Sequence, residues 1–165
     1  MTLDDEIKEK ILQLSDSLLI IDSWNSIADE LSDSFEWIGS KINWSKTSKH
    51  ESLNLKGNYF DWIDQINNFI HANNIDSEIL HSDNIYYIND SSLDFSVSIK
   101  PKQFYQFLKM AINNIPQHHY FFNREKKWCI VISAYSALFD HGLASKSDQR
   151  FASIRSTGNL TFSTA

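Results

Sequence analysis

The sequence contains one cysteine, two prolines and four glycines among its 165 residues. A single cysteine, Cys129, excludes an intrachain disulfide and the zinc sites that need several cysteines, so a reducing compartment is expected. The scarcity of glycine and proline disfavours a barrel of many short strands joined by tight turns. The sequence therefore predicts helices combined with strands.

Several motifs that would indicate catalysis are also missing. The glycine-rich loops GxGxxG and GxxxxGK[ST], which hold nucleotide phosphates, do not occur. The six histidines show neither HxxxH nor HExxH spacing, so we expect no metal and no cofactor. Cys129 lies among apolar residues, where a thiol is unreactive. We therefore expect a protein that is not an enzyme.

Membranes and nucleic acids are disfavoured as targets. No segment reaches the length of a membrane span, and the first ten residues, MTLDDEIKEK, are acidic where a secretory signal has a basic flank and an apolar core. The lysines and arginines form no dense stripe, and the net charge of -6 opposes contact with a phosphate backbone. We expect a cytoplasmic protein that binds neither membranes nor nucleic acid.

The negative charge is concentrated in residues 1–36. This segment contains ten acidic residues and two lysines, a balance of -8, whereas the rest of the chain contains eleven acidic and thirteen basic residues. Four of the acids fall on the polar side of a predicted helix, directly before a tryptophan, a residue favoured in binding hot spots. A solvated helix face and a tryptophan that only supports the helix are the alternative interpretations. The predicted partner-binding residues are Asp29, Glu30, Asp33, Glu36 and Trp37.

Apolar residues recur at intervals of three and four in four segments, which predicts four amphipathic helices. The first two cover residues 4–19 and 24–42. The third begins at Asn58, and the fourth begins at Pro101, because proline is favoured at the first helical position. Residues 45–57, which are polar and slightly basic, are predicted to be a loop.

Other apolar segments have the length and composition of strands. The densest of them, HYFFNREKKWCIVIS, predicts a hairpin across a charged turn, in which Cys129 lies opposite Phe122. The alternation in LDFSVSI predicts a strand with one face in water. The predicted strands are residues 77–80, 85–88, 93–99, 119–122, 128–133 and 137–141.

These segments predict a single α+β domain over residues 1–142. About four helices are expected to pack on one face of a mostly antiparallel sheet. Residues 143–165, which are rich in serine, threonine and alanine, are predicted to be a loosely attached tail or to end in an edge strand near residues 159–163.

The second half of the chain resembles small immunity proteins of bacterial polymorphic toxin systems, including contact-dependent growth inhibition. The resemblance covers residues 86–142 and consists of the aromatic hairpin HYFFNREKKWCIVIS and the apolar segment LFDHG, in an acidic chain of this length. It implies a protein that binds one cognate toxin and blocks its active site or substrate path. Many such toxins are nucleases with basic grooves, which an acidic surface would match.

Two other functions remain open. One is a non-catalytic adaptor or regulatory module that binds another cellular protein with the same acidic surface. The other is an enzyme of unrecognised type that uses Cys129, Asp140 or His141. A partner whose toxicity the chain suppresses would favour immunity, whereas turnover of a small substrate that depends on these three residues would favour the enzyme.

Overall fold

The computed structural model describes residues 1–39, 41–47, 49–89, 92–116, 118–123, 125, 128–136 and 156–164. These residues contain five α-helices and a seven-stranded antiparallel sheet, so the predicted α+β class is confirmed. The helices are α1 (Leu3–Leu14), α2 (Trp24–Ser34), α3 (Tyr59–Ala72), α4 (Ile75–Leu80) and α5 (Phe104–Asn114).

The strands of the described residues are β1 (Leu19–Ile21), β2 (Trp37–Ile38), β3 (Lys41–Ile42), β4 (Lys49–Leu55), β5 (Ile85–Asn89), β6 (Ser96–Ile99), β7 (His119–Asn123), β8 (Trp128–Ser136) and β9 (Ser156–Thr164). The main sheet has the order β1-β6-β5-β7-β8-β9-β4, and all its neighbouring strands are antiparallel. Strands β2 and β3 form a separate hairpin.

Successive side chains of β7 point to opposite faces of the sheet, and the core accordingly has two layers. Phe121 belongs to a cluster with residues of α1, α3, α4 and α5, whereas its neighbours Tyr120 and Phe122 belong to a cluster with residues of α2 and the β2–β3 hairpin. Four helices therefore lie on what we call the first face of the sheet. Helix α2 and the hairpin cover part of the opposite, second face, a layer that the sequence did not predict.

Aromatic rings fill the centre of the first face. The ring of Phe121 lies 4.9 Å from Tyr87, 5.4 Å from Phe104 and 6.2 Å from Phe107, measured between centroids. Each such pair contributes about 0.5–1.5 kcal/mol beyond the burial of its area. This cluster holds α5 against the middle of the sheet.

Reciprocal caps start α1 and α3. The backbone nitrogen of Asp5 donates to Thr2 Oγ1 (3.2 Å), and the backbone nitrogen of Thr2 donates to Asp5 Oδ2 (2.9 Å). Asn58 and Asp61 form the same pair of bonds, at 3.3 and 3.2 Å. Gly57, at φ +83°, leaves room for that cap, because a Cβ there would lie 2.5 Å from Asp61 Oδ2. Both helices thus begin with satisfied backbone donors.

The predicted helix over residues 24–42 was too long. Helix α2 ends at Ser34, Phe35 is extended (φ -135°, ψ 143°), and the chain turns at Gly39 with φ +60° into the β2–β3 hairpin. Phe35 and Ile42 are buried and fit the helical spacing in the sequence, but both lie beyond the end of α2. The first predicted helix was also too long, since α1 is followed by β1.

Two further predictions were wrong: a predicted strand is part of a helix, and a predicted loop contains a strand. Residues 77–80, predicted as a strand, belong to α4, which buries Ile75 and Ile79 one turn apart. Residues 45–57, predicted as a loop, contain β4, whose side chains are mostly exposed. An exposed strand lacks the apolar alternation that marks strands in a sequence.

The strand predicted over residues 93–99 is shorter and more buried than expected. Only Ser96–Ile99 forms β6, and Ser96 is fully buried, although it was expected to face water. Strand β1 pairs alongside, with Ser96 Oγ donating to the carbonyl oxygen of Ile21 (3.4 Å). Because β1 extends the sheet beside β6, Ser96 lies on an inner strand and not at the edge of the sheet.

The C-terminal part of the sheet corrects one prediction and confirms another. Strand β9 lies between β8 and β4, so the predicted edge strand near residues 159–163 is an internal strand. The β7–β8 hairpin is confirmed, with Cys129 opposite Phe122. The strand predicted over residues 137–141 lies outside the described residues. None of the described helices combines the length and the apolar character needed to cross a lipid bilayer.

Candidate partner-binding surface

Helix α2 carries acidic residues and no base. No lysine or arginine occurs between residues 24 and 36. Asp29 and Asp33 are exposed and lie one turn apart on the same side of the helix. Glu30 is half-buried and lies about 100° further round the helix from Asp29. The helix therefore brings two of the four predicted acids together on one exposed side.

Glu36 lies beyond the helix, where the chain enters the hairpin. Its Oε1 accepts a hydrogen bond from Asn43 Nδ2 (3.1 Å), and its carbonyl oxygen accepts one from the Asn43 backbone nitrogen (2.7 Å). These bonds close the base of the hairpin. The Glu36 side chain stays exposed, so it adds a negative charge two residues beyond the end of α2.

Two of the acids in and near α1 form ion pairs with lysines of that helix. Lys8 Nζ lies 3.0 Å from Asp22 Oδ1, and Lys10 Nζ lies 3.6 Å from Glu6 Oε1. Within the described part of the chain, no ion pair involves the two exposed aspartates of α2 or the glutamate that follows them. The α2 side therefore keeps a negative potential that attracts positively charged partners.

A groove of about 210 Å³ lies between α2, the hairpin and the second face of the sheet. The sequence did not predict this groove, and Tyr120 and Ile88 were missed as part of a site. The spacing of Trp24, Ala28 and Leu31 puts them on one side of α2, but the strand residues opposite could be found only from the fold. The groove is lined by Trp24, Ala28, Leu31, Ser32, Trp37, Ile88, Asn89 and Tyr120.

Trp37 is the predicted site residue that reaches this groove. It is half-buried, and its ring lies 6.2 Å from that of Tyr120 with an interplanar angle of 37°. Its indole nitrogen is buried and has no hydrogen-bond partner within the described residues, an arrangement that costs about 1–3 kcal/mol. Ring packing, and not a side-chain hydrogen bond, therefore holds the Trp37 indole in place.

The Ser32 hydroxyl and the Asn89 amide, which line the groove, already have partners inside the protein. Ser32 Oγ donates to the carbonyl oxygen of Ala28 (2.9 Å). Asn89 Nδ2 donates to the carbonyl oxygen of Pro116 (2.9 Å), and Asn89 Oδ1 accepts from the backbone nitrogen of Ser92 (2.9 Å). The groove therefore presents mainly aromatic and aliphatic surface to an incoming group.

The residues considered for catalysis lie elsewhere or outside the described chain. Cys129 is fully buried opposite Phe122, and this burial raises the pKa of its thiol. A raised pKa disfavours the thiolate that a nucleophile requires. Asp140 and His141 lie outside the described residues. Among the residues that are described, no three histidine, cysteine, aspartate or glutamate side chains are grouped to hold a metal ion.

One buried titratable group belongs to the first face. The hydroxyl oxygen of Tyr87 and Nδ1 of His119 are hydrogen-bonded at 3.0 Å. Burial, with a smaller contribution from the charge of His118, lowers the pKa of His119 to about 3. His119 is therefore neutral near pH 7 and acts as a structural partner of Tyr87.

The described residues thus form an α+β protein with a base-free acidic helix beside an apolar groove. A comparison with models of known protein families found no match, and a comparison with curated protein sequences found none either.

Proposed function

We propose that the chain is a toxin-neutralising immunity protein that uses α2 and the β2–β3 hairpin to bind and block a basic bacterial toxin domain. The observation that carries this proposal is the exposed pair Asp29 and Asp33, which form no ion pair within the described residues, at the side of an aromatic groove. Opposite charge speeds the encounter of two proteins, and buried aromatic side chains supply binding energy. The two features together favour a protein partner.

Binding is a better match to this surface than catalysis. Apart from the Tyr120 hydroxyl, the side chains that line the groove carry no titratable group. General acid–base chemistry needs a group that exchanges protons near the working pH. A nucleic acid is a poor match as well, because the carboxylates would repel its phosphates.

The resemblance to immunity proteins favours a toxin over other protein partners. A nuclease binds its substrate through a basic groove, and the carboxylates of α2 could take the place of phosphates there. An adaptor that binds a non-toxic basic protein would use the same surface. The nature of the partner distinguishes these two functions, so the experiment must identify it.

Two matched charge-reversal variants provide the test. The α2 variant carries Asp29→Lys, Asp33→Lys and Glu36→Lys, and leaves the half-buried Glu30 unchanged. The control variant reverses three exposed acids outside this surface, so the net charge changes equally in both proteins. The control substitutions are Glu9→Lys, Asp16→Lys and Asp64→Lys.

Each protein is used to capture partners from extracts of the source cells, and each captured partner is then expressed alone and with the wild type or a variant. We expect a basic protein that stops growth when expressed alone, and that the wild type and the control variant neutralise but the α2 variant does not. A basic partner without toxicity would support the adaptor. A toxin that the α2 variant neutralises as well as the wild type would contradict the proposed surface.

A further inference from the structure

We propose that the groove beside α2 receives one apolar side chain of the partner, a phenyl ring or a branched aliphatic chain, which the partner presents next to lysine or arginine residues. This inference rests on the proposed function and adds the chemistry of the segment that is recognised. The size, the lining and the charged rim of the groove each support it.

The size of the groove suits a single side chain. Its volume is about 210 Å³. A closed apolar cavity of about 150 Å³ accommodates benzene, so the groove can hold one phenyl or leucine side chain with little empty space. It is too small to receive a helix or a length of extended chain.

The lining of the groove favours an apolar occupant. Ser32 and Asn89 are already hydrogen-bonded within the protein. A polar or charged group that entered would lose its water without gaining partners from these two residues, which is unfavourable. An apolar group would instead pack against the rings of Trp37 and Tyr120 and be removed from water.

The charge near the groove predicts which residues of the partner should accompany this apolar group. Ala28 and Ser32 line the groove, and Asp29 and Asp33 each follow one of them in the sequence, about 100° round the helix. Asp29 lies about 60° round α2 from Ser32 and Asp33 about 100° from it, so both carboxylates lie on the solvent side of the helix beyond the Ser32 edge of the groove, where a lysine or arginine next to the anchor could reach them. A second copy of this chain is disfavoured as the occupant, because it would bring its own net charge of -6.

Filling the groove separates this inference from the role of charge. Ala28→Leu places a larger side chain in the groove, keeps every acidic residue and suits a helix, since leucine has a high helix propensity. Ser32→Leu is a second filling variant, in case the first fails to fold. Ala72→Leu is the matched control, because Ala72 is exposed on α3, a helix of the first face.

The probe is a synthetic peptide with lysines and arginines on both sides of a central phenylalanine, compared with the same peptide carrying serine. Binding is measured by titration calorimetry, and the mass of each protein by sedimentation. We expect the phenylalanine peptide to bind the wild type and the Ala72→Leu control about 10-fold or more tightly than the serine peptide. Ala28→Leu or Ser32→Leu should remove this preference but keep the weak, salt-sensitive binding of both peptides.

Equal affinity for the two peptides, or an unchanged preference in both filling variants, would overturn the apolar anchor. Failure of both peptides to bind would also overturn it. A dimer that the filling variants dissociate would assign the groove to a second copy instead. None of these results decides the proposed function, which depends separately on the captured partner and on the charge-reversal variants.

Discussion

Helices α1 and α2 are both acidic and amphipathic, yet they pack on opposite faces of the sheet and leave different surfaces. Helix α1 buries Ile7 and Ile11 in the larger core, and its two lysines form ion pairs with acids. Helix α2 buries Ile27 and Leu31 in the smaller core and contains no base. The first helix neutralises part of its charge, whereas the second leaves charge exposed beside a groove.

This difference shows why the charge of a segment is a poor guide to a surface. The balance of -8 in residues 1–36 is a single number, but the fold divides those acids between two faces. Only the acids of α2, with Glu36 two residues beyond its end, lie on or beside the elements that line the groove. The contrast between the two faces can be tested by the following substitutions.

The largest effect is expected from adjacent residues of β7 that point to opposite faces. Phe121 and Phe122 are both fully buried, so replacing either with alanine should destabilise the fold by about 3–5 kcal/mol. We expect Phe121→Ala to cost more, because its ring contacts those of Tyr87, Phe104 and Phe107. Urea unfolding followed by circular dichroism measures both losses. A larger loss for Phe122→Ala would contradict the view that the first face holds the main core.

Acid should weaken the first face through His119. Its pKa of about 3 in the folded protein lies below the ordinary value of 6.5, so the unfolded chain binds this proton more readily between those pH values. The contribution of His119 to the free energy of unfolding is at its full value well above pH 6.5. It should decrease by up to about 1.4 kcal/mol per pH unit as the pH falls toward 3. Urea unfolding at pH 7.5 and pH 5 should therefore differ by about 2 kcal/mol from this group alone.

Two variants isolate the contribution of His119 to this pH dependence. His119→Gln removes the titrating group and should reduce the difference between the two pH values. His71→Gln is the control for replacing a histidine at an exposed position, since the His71 side chain is 88% exposed, and His119→Gln should show a smaller difference between the two pH values than this control does. An equal pH dependence in His119→Gln and the wild type would show that His119 is not the group responsible.

A smaller effect should distinguish the starts of the two acidic helices. Thr2 forms a reciprocal cap with Asp5, so Thr2→Ala should cost about 1 kcal/mol. Ser23, at the start of α2, forms no side-chain capping bond, so Ser23→Ala should change the free energy of unfolding much less. Chemical denaturation of both variants checks this order. Equal losses would mean that the cap of α1 contributes little.

The sequence predicted the class of fold and its central hairpin. Strands β7 and β8 were recognisable because aromatic and β-branched residues flank a charged turn, and the position of the turn set Cys129 opposite Phe122. Strand β9 was harder to place. Leu160 and Phe162 indicate a strand, but its pairing with β4 joins residues distant in the chain, which local patterns do not encode.

The candidate site was predicted only in part. Asp29 and Asp33 were expected on the polar side of a helix, and the structure places them there. Trp37 was expected on the same helix, but it lies in the hairpin, because the helix ends at Ser34 and the chain turns at Gly39. The groove combines this hairpin with the sheet, and helical spacing alone could not reveal that contact.

The central claim is that the exposed carboxylates beside the groove guide a basic partner onto α2. It is tested most directly by measuring the association rate with the captured partner over a range of ionic strength. The Asp29→Lys, Asp33→Lys, Glu36→Lys protein should associate about 10-fold or more slowly than the wild type at low ionic strength, and its rate should fall less with added salt. The Glu9→Lys, Asp16→Lys, Asp64→Lys protein should remain much closer to the wild type. Equal rates and equal salt dependence for the two variants would contradict the claim.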